Sequence, residues 1–138
     1  MTAQLQLRHS YGFGLKVQLP YAEAVERVKA ALKEQGFGVL TEIDVQKTLK
    51  EKRGVDYRPY IILGACNPPL AHQALTLEPD IGLLLPCNVV VYEAGDSESI
   101  VEALDPEAAL GIVGNPALQP IAREAKQRLE KALASLAS

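Results

Sequence analysis

Tryptophan is absent from the chain, and only five tyrosines and two phenylalanines supply rings, so bases of a single strand would find few platforms to stack on. Fourteen lysines and arginines stand against seventeen acidic residues for a net charge of −3, and no segment gathers the basic excess that phosphates demand. The densest basic run, Lys47, Lys50, Lys52 and Arg53 with Glu51 inside it, reads as a solvated helix face. Nucleic acid is therefore not an expected partner. Nowhere do eighteen apolar residues run together, and Met1 to Ser10 lacks a basic stretch followed by an apolar core, so neither a membrane span nor secretion is expected. The expected location is the cytoplasm. Cysteine is scarce too, and in that compartment Cys66 and Cys87 read as thiols or ligands rather than as a structural disulfide. No glycine-rich phosphate loop follows a strand pattern, and no Ser-His-Asp order, nucleophile elbow or metalloprotease motif occurs.

What is present fits one domain over residues 1–138: 48% of the residues are hydrophobic and 22% charged, enough apolar surface to offset the entropy of ordering. From Phe13 to Leu19 apolar residues alternate with others, which predicts a half-solvated strand. Pro20 opens a helix with Val25, Val28 and Leu32 on one stripe, closed by Gly36. Phe37, Val39, Thr41, Ile43 and Val45 resume the period of two, with Leu40, Glu42 and Asp44 on the reverse face. Asp44 can cap a short basic helix that Gly54 ends. A third strand is predicted from about Arg58 to Ala65, then a helix opened by Asn67-Pro68. Two further strands are expected at Leu83-Leu84-Leu85 and Val89 to Tyr92, the latter folding back through a Gly95-Asp96 turn onto Ile100 to Leu104. Asp105-Pro106 opens a short helical turn, Gly114-Asn115-Pro116 breaks the chain, and a last helix runs from about Pro120 to Leu136.

This order predicts an α+β fold, a mainly antiparallel sheet with helices packed on one face. The triplets Ile61-Ile62-Leu63, Leu83-Leu84-Leu85 and Val89-Val90-Val91 are apolar on both sides, so something must cover the second face. A chain with two substantial helices lacks the material for two faces, and a second copy of itself is the expected cover.

Chemistry points to the strand ends. Cys66, in Gly64-Ala65-Cys66-Asn67-Pro68, stands where a strand gives way to a helix, a position that can acidify a thiol; it reads first as a small apolar residue packed at a tight turn. Cys87-Asn88 repeats the Cys66-Asn67 pairing, so neighbouring strands would bring two sulfurs together. A reversible disulfide, a metal site with His72 as third ligand, and two unrelated buried thiols all stay open, although the spacing matches no tight zinc motif and no metal or cofactor is expected. His72 reads as a surface residue, and Glu42 with Asp44, which could be paired carboxylates but lack an identifiable acid-base partner, as structural or capping residues.

The segments Gly36 to Val45, Tyr60 to Pro68 and Leu84 to Tyr92, with Asp105-Pro106 and the final helix, resemble the domain-of-unknown-function 302 family over nearly the whole chain. The resemblance implies a β-α-β(4)-α arrangement similar to that of the TATA-box-binding protein, and association as homodimers. It implies no activity. Related domains look to turn up near sulfur-handling proteins in bacteria, which draws attention to the two thiols without assigning them a role; a small-molecule or sulfur-carrier partner is a further expectation. The expectation is a non-enzymatic, homodimeric ligand-binding or accessory module with its site near Cys66, Asn67, His72, Cys87, Asn88 and Glu42. The rival is a thiol-dependent redox or sulfur-transfer protein using Cys66 with Cys87.

Overall fold

Alternation begins one residue earlier than the pattern suggests and ends sooner: in the computed structural model, which describes residues 5–137, strand β2 spans Gly12–Val17 and a short β1, Leu7–His9, precedes it. The N-terminal reading over Met1–Ser10 lies partly outside the described residues. Helix α1 (Tyr21–Glu34) follows, burying Ala24, Val25, Val28, Ala31 and Leu32 on one stripe. It ends as the glycine predicts. Gly36 takes φ 85°, the Gly36 amide donates to the Lys33 carbonyl and the Phe37 amide to the Leu32 carbonyl, and Phe37 drops into the core.

Next come β3 (Gly38–Asp44), α2 (Val45–Arg53), β4 (Tyr60–Cys66), α3 (Pro68–Leu77), a 3₁₀ segment Pro79–Leu84, β5 (Cys87–Gly95), β6 (Glu98–Leu104), α4 (Pro106–Gly111) and α5 (Gln119–Ala134). The caps fall where the sequence puts them: Asp44 accepts the Lys47 amide at 2.9 Å, Asn67 the Leu70 amide at 3.2 Å, and Asp105 the Glu107 amide at 2.9 Å. The six strands of the described residues form one antiparallel sheet in the order β1-β2-β6-β5-β4-β3. Set aside the short insertions, and the expected β-α-β(4)-α order stands as β2, α1, β3 to β6, α5. No helix among the described residues is long and apolar enough to cross a membrane.

Three sequence expectations need correction. Leu83-Leu84-Leu85 is not a strand: Pro79 starts a 3₁₀ turn through Leu84, and Leu83 is 88% exposed. The hairpin turn is Asp96-Ser97, because Gly95 still pairs with Glu98 across an irregularity in β5. Strand β3 carries no buried residue, and a bulge at Leu40 reverses its faces halfway along. Beyond the bulge, Thr41 and Ile43 share a face with Gly64 and Ile62, while Glu42 and Asp44 turn to the helix side.

Two hydrophobic clusters result. The larger unites the helix-side residues of the sheet, among them Phe13, Leu15, Leu63, Val89, Val91 and Val101, with the stripes of α1 and α5. The smaller joins α3, the 3₁₀ segment, α4 and the start of α5 through Ala74, Ile81, Leu110, Leu118, Ile121 and Ala122, forming a satellite lobe past the strand ends. Neither cluster includes Ile62, Val90, Tyr92 or Ile100, which the register places on the opposite face. Side chains screen part of that face: Tyr60 stacks on Tyr92 at 5.2 Å, Arg58 lies over the Tyr92 ring, and His9 bonds Glu102 at 2.7 Å.

Candidate functional site

Where β4 and β5 run out, the main core and the satellite lobe leave a cavity of about 300 Å³ between them. Phe37, Leu40, Ala65 and the strand-end cysteines, Cys66 and Cys87, wall it from the sheet. Leu70, Ala71, Ala74 and Leu75 of α3 and Leu85-Pro86, joined by a cis peptide, wall it from the lobe, with Ile121 and Ala125 of α5 behind. Among the described residues no charged side chain lines it. Leu40 and Leu75, 67% and 40% exposed, mark the side that opens to solvent.

Alanines at positions 71, 74 and 125 make the room, because larger side chains on those helix faces would meet the sheet end. Gly64 lets the sheet close beneath it. A Cβ at Gly64 would collide with the Thr41 hydroxyl and come within 2.9 Å of the Pro86 ring, so only glycine permits β3 and the chain before β5 to approach β4 together.

The cavity brings together Cys66, Asn67 and Cys87, and leaves out the other three residues the sequence nominates. His72 is exposed and borders a separate hollow with Thr76 and Pro120. Asn88 is exposed opposite Gly64 on the helix-free face. Glu42 pairs with Lys29 of α1 at 2.9 Å, and the hydrogen bond holds that ammonium above its usual pKa. Asn67 is buried, and its carboxamide oxygen is committed to the α3 cap.

Both thiols are held neutral. Burial pushes Cys66 up, and burial together with the neighbouring Cys66 pushes Cys87 up to about 11. Cys87 keeps some exposed surface because the cavity itself reaches it, yet protein surrounds it closely enough to disfavour the thiolate. Cys66 stands one residue before the cap, so the free amides of α3 are aimed at Asn67 rather than at its sulfur. Sequence reasoning identifies the apolar faces of α3 and α5 but not that they enclose a space, since the 3₁₀ segment between them reads there as a strand.

Fold and site together define a small α+β domain with an apolar, thiol-walled cavity at the sheet end. The chain belongs to the family described as domain of unknown function DUF302, whose model matches residues 13–136. A crystal structure of an uncharacterized conserved DUF302 protein from Bacillus stearothermophilus is similar over 90% of this chain and 96% of that one, with 34% identity and a TM-score of 0.82. No curated protein matches the chain.

Proposed function

We propose that this protein is a homodimeric binding module that takes a small, uncharged, largely apolar ligand into the cavity between the sheet end and the satellite lobe. The observation that carries this reading is the cavity wall. It is apolar and without charge, its one carboxamide is occupied by a helix cap, and its two thiols are neutral. Such a wall offers a charged ligand nothing to offset its desolvation, whereas an apolar ligand gains by leaving water.

The homodimer draws its support from the helix-free face. Ile62, Val90 and Tyr92 are only half-buried there in one chain, and a second copy laid against the same face would complete their burial by two-fold symmetry. A cytoplasmic setting fits two free cysteines. The thiol-transfer reading draws less support, because nothing near Cys66 lowers its pKa.

Titration with a neutral aromatic such as indole, followed by amide chemical shifts, tests the binding reading. Shifts at Ala74, Leu110, Ile121 and Ala125 that vanish in Ala125→Phe, with the remaining spectrum folded, are expected. Shifts spread over the surface, or unchanged by filling the cavity, would overturn it.

A further inference from the structure

The α3 cap uses only half of the Asn67 carboxamide. Its oxygen accepts the Leu70 amide, but no acceptor among the described residues meets its Nδ2, although the residue is only 8% exposed. A donor so placed costs stability until something accepts from it. Among the described residues every fully enclosed side-chain nitrogen and oxygen has a partner, so Nδ2, having none, still reaches open space. Asn67 walls the cavity together with Phe37, and Gly36 is the residue before Phe37. A Cβ placed on Gly36 would stand 3.1 Å from Asn67 Nδ2 and 3.4 Å from Arg128 Nη1. Arg128 in turn follows the cavity-lining Ala125 by three residues on α5. Two N–H donors therefore converge at one end of an otherwise apolar space, beside a backbone whose φ of 85° keeps a side chain out from between them.

We propose, resting on the binding reading above, that the cavity's ligand carries one neutral acceptor, the carbonyl oxygen of a ketone, ester or amide. That oxygen accepts from Asn67 Nδ2 while the hydrocarbon body fills the space among Ala71, Ala74 and Ala125. A pure hydrocarbon would shut Nδ2 away from water without a partner, whereas a carbonyl compound replaces the water it excludes.

Arg128 does not turn this corner into a carboxylate site. Its Nε donates to Glu124 at 2.6 Å and its Nη1 to the Gln35 carbonyl at 3.2 Å, so its charge is already paired. A carboxylate brought here would add a net negative charge against an apolar wall. A carbonyl needs only the dipole that the Asn67 amide supplies.

Indane, 1-indanone and indane-1-carboxylate share one ring frame and differ in acceptor and charge, so their affinities, taken from amide shifts at Ala74, Ile121 and Ala125 of the full-length protein, test the proposal. The parent should prefer 1-indanone over indane by about tenfold, close to the worth of one well-made hydrogen bond, and should bind the carboxylate most weakly. Asn67→Asp and Asn67→Ser both keep a capping oxygen and remove the amide nitrogen, and in each the preference should fall to about twofold or less. The ratio is the readout, because a loosened α3 weakens both neutral probes alike. Equal affinity for indane and 1-indanone in the parent, a preference that survives in either variant, or tightest binding of the carboxylate would overturn the carbonyl site while leaving the cavity a binding site. Absence of shifts at those residues with all three probes would overturn both readings. Should either variant fail to fold, the ratio in the parent and in the other variant decides.

Discussion

Cys87 lies directly across the β4–β5 ladder from Ala65, the residue before Cys66, and so two thiols that no local pattern connects share the wall of one cavity. Tertiary pairing, and not spacing in sequence, makes them neighbours. The same enclosure holds them protonated, which runs against the acidic thiol that a helix N-terminus would make.

That enclosure sets a pH window. The Cys87 thiol rises from an ordinary 9.0 to about 11 in the folded protein, so as pH climbs from 9 the unfolded chain releases its proton first. Stability contributed by the buried thiol is complete below pH 9 and drains away toward 11, a loss of roughly 2–3 kcal/mol at about 1.4 kcal/mol per pH unit. Tyr60 and Tyr92, also raised by burial, add to the alkaline loss. Urea unfolding of the parent and of Cys87→Ala between pH 8 and 11 separates them: the parent's curve should fall more steeply, and parallel curves would show that Cys87 titrates as an ordinary thiol.

Gly64→Ala should destabilise the protein by about 1–3 kcal/mol, the usual cost of an overfilled site. The new methyl group has no free direction, with the Thr41 hydroxyl on one side and the Pro86 ring on the other. Thermal unfolding of Gly64→Ala and of the double variant with Thr41→Gly reads this directly. Partial recovery in the double variant is expected, and an unaltered melting temperature in the single variant would refute the close approach.

Local signals carried much of this fold. Asp44, Asn67 and Asp105 each cap a helix as their positions before it predict, and Gly36 ends α1 in the left-handed region that favours glycine. Where the reading failed, the deciding interaction was not local. The alternation in Gly38–Asp44 cannot reveal a bulge at Leu40 that depends on its pairing with β4. Leu83-Leu84-Leu85 has the composition of a buried strand, yet no strand is placed to receive it, and Pro79 starts a 3₁₀ turn instead. The candidate site was half legible for the same reason. Cys66 and Cys87 stand out by rarity, but the register alone joins them, and Glu42, His72 and Asn88 prove to face elsewhere.

Asn67→Ala should cost about 1 kcal/mol through loss of the α3 cap, and slightly more because the side chain is buried. Its second effect is the informative one. Removing the cap loosens the start of α3, which forms one wall of the cavity, so amide exchange should quicken from Leu70 to Ala74 while the central sheet residues Val89 and Val91 stay protected. Asn67→Asp, which keeps the accepting oxygen, should restore the protection of α3. Uniform loss across the sheet would mean that Asn67 serves the whole core rather than this wall.

The helix-free face gives the sharpest test of self-association. Val90 sits at its centre, flanked by Ile62 on β4 and Glu102 on β6, and neither core cluster includes it. An aspartate there meets solvent in an isolated chain, so folding should suffer little, but in a two-fold contact it would set a buried, unpaired charge near its own symmetry mate. Val90→Asp should therefore elute as a single chain with unchanged helix content, while the parent runs at twice the chain mass at micromolar concentration. A parent protein that is monomeric under those conditions would leave the half-buried Ile62, Val90, Tyr60 and Tyr92 of this face without the partner argued for them.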